Sequence, residues 1–207
     1  MKKHLTAIVF YGAMWGVFEA SLGYILHSFV ITTNFTGMVM FPLACYFMLK
    51  VYQQTDNVES VFLTSTIAAS IKLVDLFIVA IPLDRVLHPA LCILLEGAVV
   101  YAVFKVLEGQ IAKINYVQTL ALCMSWRALY IIHLYFVAFL YLKLPPVSIM
   151  LKRFFLIESL GNSAVIYLFI KATAKLSKFQ NINKYALMPR ISFSMLALAI
   201  FIQILVK

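Results

Sequence analysis

The sequence predicts an all-α protein: a polytopic transmembrane helical bundle of six or seven helices, forming one transmembrane domain over residues 1–207. Three observations carry this reading. Apolar residues fill 64% of the positions and charged residues only 12%, where soluble domains hold about 45–50% and about 25%. The mean hydropathy is +0.97. The apolar residues form unbroken runs suited to crossing about 30 Å of hydrocarbon, without the alternation of barrel strands. This composition excludes a water-soluble enzyme, a disordered tail and a nucleic-acid-binding module, so the bilayer is the expected environment and nucleic acid is not an expected partner.

The elements follow in order. Leu5–Val30 comes directly after Met-Lys-Lys-His and exceeds the short apolar core of a signal peptide, so it reads as the first membrane helix. Thr36–Tyr52 follows a polar turn over Thr32–Gly37; it is the shortest span and contains Pro42, which leaves the count at six or seven. Val58–Ile81 follows a connector at Gln53–Asn57, and His88–Val106 follows a break in which Pro82 and Pro89 bracket Asp84 and Arg85. Val117–Leu142 ends before Pro145-Pro146, since proline suits the first turn of a helix and not its interior, and Val147–Lys171 starts after it. A basic connector, suited to anionic lipid at the inner surface, leads to Ala186–Val206. Cys45, Cys92 and Cys123 each lie in an apolar run without CxxC spacing, which gives neither a disulfide framework nor a zinc site.

Orientation is read from the loops. With the N-terminus in the cytoplasm, Lys2, Lys3, Lys50, Lys105, Lys113, Lys171, Lys175, Lys178, Lys184 and Arg190 lie inside, whereas Arg85, Lys143, Lys152, Arg153 and Lys207 lie outside. This is a positive-inside distribution, and excess basic charge in membrane proteins mostly serves that purpose. The segment Ala172–Pro189 is therefore expected to face the cytoplasm. Single cysteines placed there should resist an impermeant thiol reagent applied to intact cells, and rapid labelling would reverse the orientation.

Charge inside the membrane costs about 2.5–3.5 kcal/mol per group on insertion scales. The spans nevertheless hold Glu19, His27, Lys72, Asp75, Glu96, Arg127, His133 and Glu158. Lys72 and Asp75 stand three apart and can neutralise each other; Arg127 needs a carboxylate, which either Glu96 or Glu158 can supply. All of these groups lie at the midplane or in the outer half, leaving the cytoplasmic halves dry. That bias suits a polar cavity opening outward above an apolar plug. At 100° per residue, Gly12, Gly16, Glu19, Ala20, Gly23 and His27 share one face of the first helix. Small residues permit close backbone approach in lipid, so the Gly12/Gly16 stripe serves either packing within the bundle or docking of a partner. Thr64, Ser65, Ala68, Lys72 and Asp75 share a face of the third helix; Thr119, Cys123, Arg127, Tyr130 and Tyr141 share one on the fifth; Asn162 follows Glu158 by one turn on the sixth. No zinc-protease, nucleotide-binding or serine-nucleophile motif is present, and the sequence names no catalytic residue. Glu19, His27 and His133 do not have the spacing of a ligand set, so no metal and no cofactor is assigned.

Gly12-Ala-Met-Trp-Gly-Val-Phe-Glu-Ala-Ser-Leu-Gly-Tyr-Ile-Leu-His27, Phe35-Thr-Gly37, Lys72-Leu and Pro89-Ala-Leu-Cys-Ile-Leu-Leu-Glu-Gly97 resemble the substrate-binding S components of energy-coupling factor transporters over roughly residues 7–105. The resemblance implies a solute pocket lined or supported by Glu19, His27, Lys72 and Glu96. It also implies a transmembrane coupling protein, docked on the Gly12/Gly16 stripe, and separate ATPase subunits. The chain departs from that family in its count of seven spans, in a Gly-x-x-x-Gly where the family often has Ala-x-x-x-Ala, and in lacking the histidine-rich start of the cobalt and nickel members. From the residues and the resemblance together, the expected function is capture of a small polar solute, cationic ones included, from the outer side of a prokaryotic cell membrane. Glu19, His27, Lys72, Asp75, Glu96, Arg127, Glu158 and Asn162 are the expected binding residues. The alternatives are an intramembrane enzyme acting on a lipid-borne substrate and a non-catalytic membrane assembly protein.

Overall fold

The computed structural model describes residues 2–29, 35–77, 82–107, 110–141, 143, 151–175 and 184–205. Among the described residues seven α-helices follow one another: α1 (Lys2–Phe29), α2 (Phe35–Thr55), α3 (Glu59–Leu73), α4 (Leu83–Val106), α5 (Tyr116–Leu140), α6 (Glu158–Lys175) and α7 (Pro189–Leu205). A 3-10 turn, Val74–Phe77, extends α3, and a π-helical turn, Arg153–Ile157, leads into α6. Five of the described helical segments are long and apolar enough to cross a membrane; α2 is not among them, and α7 is a shorter apolar helix.

Local chemistry explains the boundaries. Asn115 and Gln118 form a reciprocal capping box that starts α5, satisfying donors the first turn would leave open. Pro189 opens α7, where its missing N–H costs nothing. The α2–α3 connection is tighter than the sequence predicts. Helix α2 continues through Thr55, and Asp56 turns the chain with φ 51°, a left-handed value that Asp tolerates better than most residues. Two further boundaries move. Phe35–Gly37 belongs to the start of α2 and not to a turn. Asp84 and Arg85 belong to the first turn of α4, with Pro89 inside the helix. Pro82 precedes α4 in an extended conformation, and Asp84 suits the positive end of the helix dipole. Residues 30–34, 78–81, 144–150 and 176–183, which include Pro145-Pro146 and much of the basic connector, lie outside the described residues.

Side-chain pairs give the helix directions. Gly12 and Gly16 of α1 meet Ile67 and Ile71 of α3 in parallel register, while Ser65 meets Gly97 of α4 in antiparallel register. Tyr116 hydrogen-bonds Ser163, and Trp126 packs on Phe154, so α5 and the α6 region also run antiparallel. Helices α1, α3, α4, α5, α6 and α2 make a ring, each packed on the next, and α7 lies outside it against α1. Ala7, Tyr11, Phe47, Val51, Val61, Val100, Phe104, Ile114 and Ile170 fill the half of the ring nearer the chain's N-terminus. Phe77, Ile132, Phe139, Leu168 and Phe201 point outward, as side chains facing lipid tails do.

The glycine stripe is consumed inside this packing. A Cβ on Gly12 would come 2.7 Å from Ile67 Cβ, and one on Gly16 would come 2.6 Å from Ile71 Cδ1. Partner docking on Gly12 and Gly16 is therefore corrected: helix α3 already covers that face, because only hydrogen at those positions lets the backbones approach. Gly16→Leu is expected to cost at least about 1–3 kcal/mol through overpacking, read as a lowered unfolding temperature in detergent.

Candidate functional site

Two of the predicted ionisable groups pair at mid-depth between α5 and α6. Arg127 Nη2 lies 3.7 Å from Glu158 Oε2, with both side chains buried. The guanidinium donates to the Cys123 carbonyl oxygen at 3.2 Å. It stacks on Trp126, whose ring centroid is 4.6 Å away, and is flanked by Phe154 and Phe41. Neither Glu158 oxygen has a hydrogen-bond partner among the described residues, so the pair is held by charge and stacking. The π-helical turn over Arg153–Ile157 immediately precedes Glu158, and such turns rotate the residues that follow them relative to a regular helix. One turn further, Asn162 Nδ2 donates to the Gly37 carbonyl oxygen of α2 at 3.1 Å.

A second pair closes elsewhere. Lys72 Nζ lies 3.2 Å from Asp75 Oδ2, and Gln203 of α7 donates to the same oxygen at 2.7 Å. Asp75 is thus turned toward α7, outside the ring of six helices. Gln203 was not singled out in the sequence. A single amide in the apolar second half of the last helix is its only signal, and a lone amide does not reveal its partner.

Glu19 and Glu96 remain. Neither makes an ion pair or hydrogen bond with another described residue, yet they interact electrostatically with each other, Glu19 also with Lys72 and Glu96 also with Arg127. Glu19 sits deep in the bundle but is only half-buried by surface, and Cys92 has the same character. Both side chains thus stay partly accessible. Gly23 of α1 is buried, yet a Cβ built there would meet nothing closer than Glu19 Oε1 at 3.9 Å. Among the described residues this leaves room for a side chain beside Gly23, a small hollow bordered by Glu19. The side chain of His27, one turn further along α1, lies outside the described residues.

The structure also shows a polar seam that the sequence reading did not assemble. On α4, His88, Cys92 and Glu96 are spaced four apart; on α5, His133, Tyr130 and Arg127 are spaced three apart. The helices run antiparallel, so the two series pair rung by rung. His88 Nδ1 meets His133 Nε2 at 3.2 Å, Cys92 faces Tyr130, and Glu96 faces Arg127. The signal was present as two helical periodicities, but their register depends on how α4 and α5 are joined. Beyond the histidines, a groove of about 800 Å³ opens between the N-terminal end of α4 and the C-terminal end of α5, lined largely by leucines with Asp84, Tyr141 and Lys143 at its rim. None of the predicted binding residues whose side chains are described lines this groove. No group of three or more metal-ligating side chains occurs among the described residues.

Fold and site together define a class, a polytopic helical membrane protein with charged groups at mid-depth on one side of an apolar plug. The chain matches no known protein family, no curated protein and no solved structure.

Proposed function

We propose that this protein is the solute-binding subunit of a membrane transporter of the energy-coupling factor type. It captures a small amine-bearing solute from the outer side of a prokaryotic cell membrane and relies on a coupling protein and ATPases for energy. The observation that carries the reading is the hollow beside Gly23, bordered by one carboxylate and within electrostatic reach of a second. Glu19, Asp75, Glu96 and Glu158 are four acidic groups against the two cations Lys72 and Arg127. The cations are paired with Asp75 and Glu158, which leaves Glu19 and Glu96 to share their residual field. An ammonium group placed between them cancels one of the two remaining negative charges in a region where uncompensated charge is costly. The positive-inside distribution assigns the end bearing the groove to the outer side, and the packed apolar half then forms the cytoplasmic plug. The pairs Arg127–Glu158 and Lys72–Asp75–Gln203 serve the bundle, tying α5 to α6 and α3 to α7.

The test is mass spectrometry of small molecules that co-purify with the protein in detergent, repeated on Gly23→Leu. The larger side chain has room to enter the hollow, so this variant should fold normally and lose the solute by at least about tenfold. A Gly23→Leu protein that keeps full affinity would overturn the assignment.

A further inference from the structure

We infer that the solute reaches the hollow through the groove between α4 and α5, and that the His88–His133 pair is the gate across this route. The inference rests on the binding site proposed above and adds the path to it. The groove, about 800 Å³, is of the size that holds a small molecule. Its lining includes His88 and His133, whose rings meet edge to face with centroids 5.2 Å apart. One turn further in on both helices stand Cys92 and Tyr130, and one turn beyond these stand Glu96 and Arg127. From His88 to Glu96 is eight residues, or about 12 Å along the helix axis. The path from the groove to the acidic hollow is therefore short and lined on both sides by polar groups.

Two features make the histidines a gate and not merely a wall. The contact at 3.2 Å is a hydrogen bond between side chains of two different helices, one ring nitrogen donating and the other accepting; breaking it requires only rotation of the rings. Packing across the α4–α5 seam is also sparser than across α3–α4 or α1–α3, so the helices on either side can part with little loss of contact. Leu73 of α3 closes the groove on a third side with an apolar wall. Polar selection on the way in thus falls to the imidazoles and to Asp84 and Lys143 at the rim.

Cys92 lies directly behind the gate and is a native reporter. The full-length protein in proteoliposomes is exposed to a membrane-impermeant cationic methanethiosulfonate, and the modified cysteine is located by peptide mass spectrometry. Labelling of Cys92 should be slow in the unmodified protein and at least about tenfold faster in His133→Ala. In His133→Gln, whose amide can still pair with His88, it should stay near the original rate. Leu87→Trp, which fills the groove, should slow labelling and the rate of solute binding together while leaving equilibrium affinity unchanged. Equal Cys92 rates in the unmodified, His133→Ala and Leu87→Trp proteins would overturn the route even where the solute still binds. Rates that respond to both substitutions, with no protection of Cys92 by any co-purified solute, would uphold the route and overturn the binding site.

Discussion

Replacing Glu158 by leucine is expected to destabilise the protein by about 3–5 kcal/mol, the usual cost of stranding one member of a buried ion pair. Arg127 is fully buried, and its guanidinium cannot lose its proton. Without Glu158, its remaining neighbours are the Cys123 carbonyl oxygen, three aromatic faces and, at longer range and without an ion pair, Glu96. Stacking on Trp126 softens the loss but does not supply a counter-charge. The double variant Arg127→Met/Glu158→Leu should regain most of the stability, because a pair replaced by apolar groups of similar volume leaves nothing unpaired. Thermal unfolding of the two variants in detergent measures the difference. Equal melting of Glu158→Leu and the unmodified protein would show that the pair contributes nothing to the fold.

Glu19→Gln should behave in the opposite way. Its loss of function is expected to be large, with solute affinity lowered at least about 30-fold, since truncating one side of a desolvated charge contact costs about 2 kcal/mol or more. Its stability should be unchanged or slightly higher, because an amide is cheaper to bury than a carboxylate. Equilibrium binding of the solute found by mass spectrometry decides the first part, and thermal unfolding the second. Unchanged affinity would remove Glu19 from the site and leave an amine-bearing solute without its main support.

What could be read before the structure depended on the range of the signal. Continuous apolar runs sufficed for all seven helices, because each run is a local property of the chain. Lys72–Asp75 was legible for the same reason, being three residues apart on one helix. Arg127 required a carboxylate, but Glu96 and Glu158 were equally acceptable on charge; the pairing with Glu158 follows from the close α5–α6 packing and from the π-turn ahead of Glu158, which no sequence pattern announced. The glycine stripe was correctly seen as a surface for close approach, while its partner, Ile67 and Ile71 of α3, was a matter of topology. The histidine pair escaped notice for a related reason. His88 was placed at the boundary of a span, whereas the helix begins five residues earlier at Leu83 and carries it into the bundle.

The uneven packing of the ring has a mechanical consequence. Helices α7, α1, α3 and α4 are joined by close contacts, with glycines at two of the crossings, and α2 is held firmly to α1. The α5–α6 pair is bound tightly to itself but meets its neighbours across two sparser boundaries, α4–α5 and α2–α6. A load applied to this bundle concentrates its deformation at those boundaries, so α5 and α6 swing as one stiff lever against a fixed frame. The buried arginine pair then acts as the rivet of that lever: it travels with the moving part and its geometry is preserved through the stroke. Glu96 belongs to the frame and Arg127 to the lever, so the same displacement that parts the seam changes the separation between these two groups.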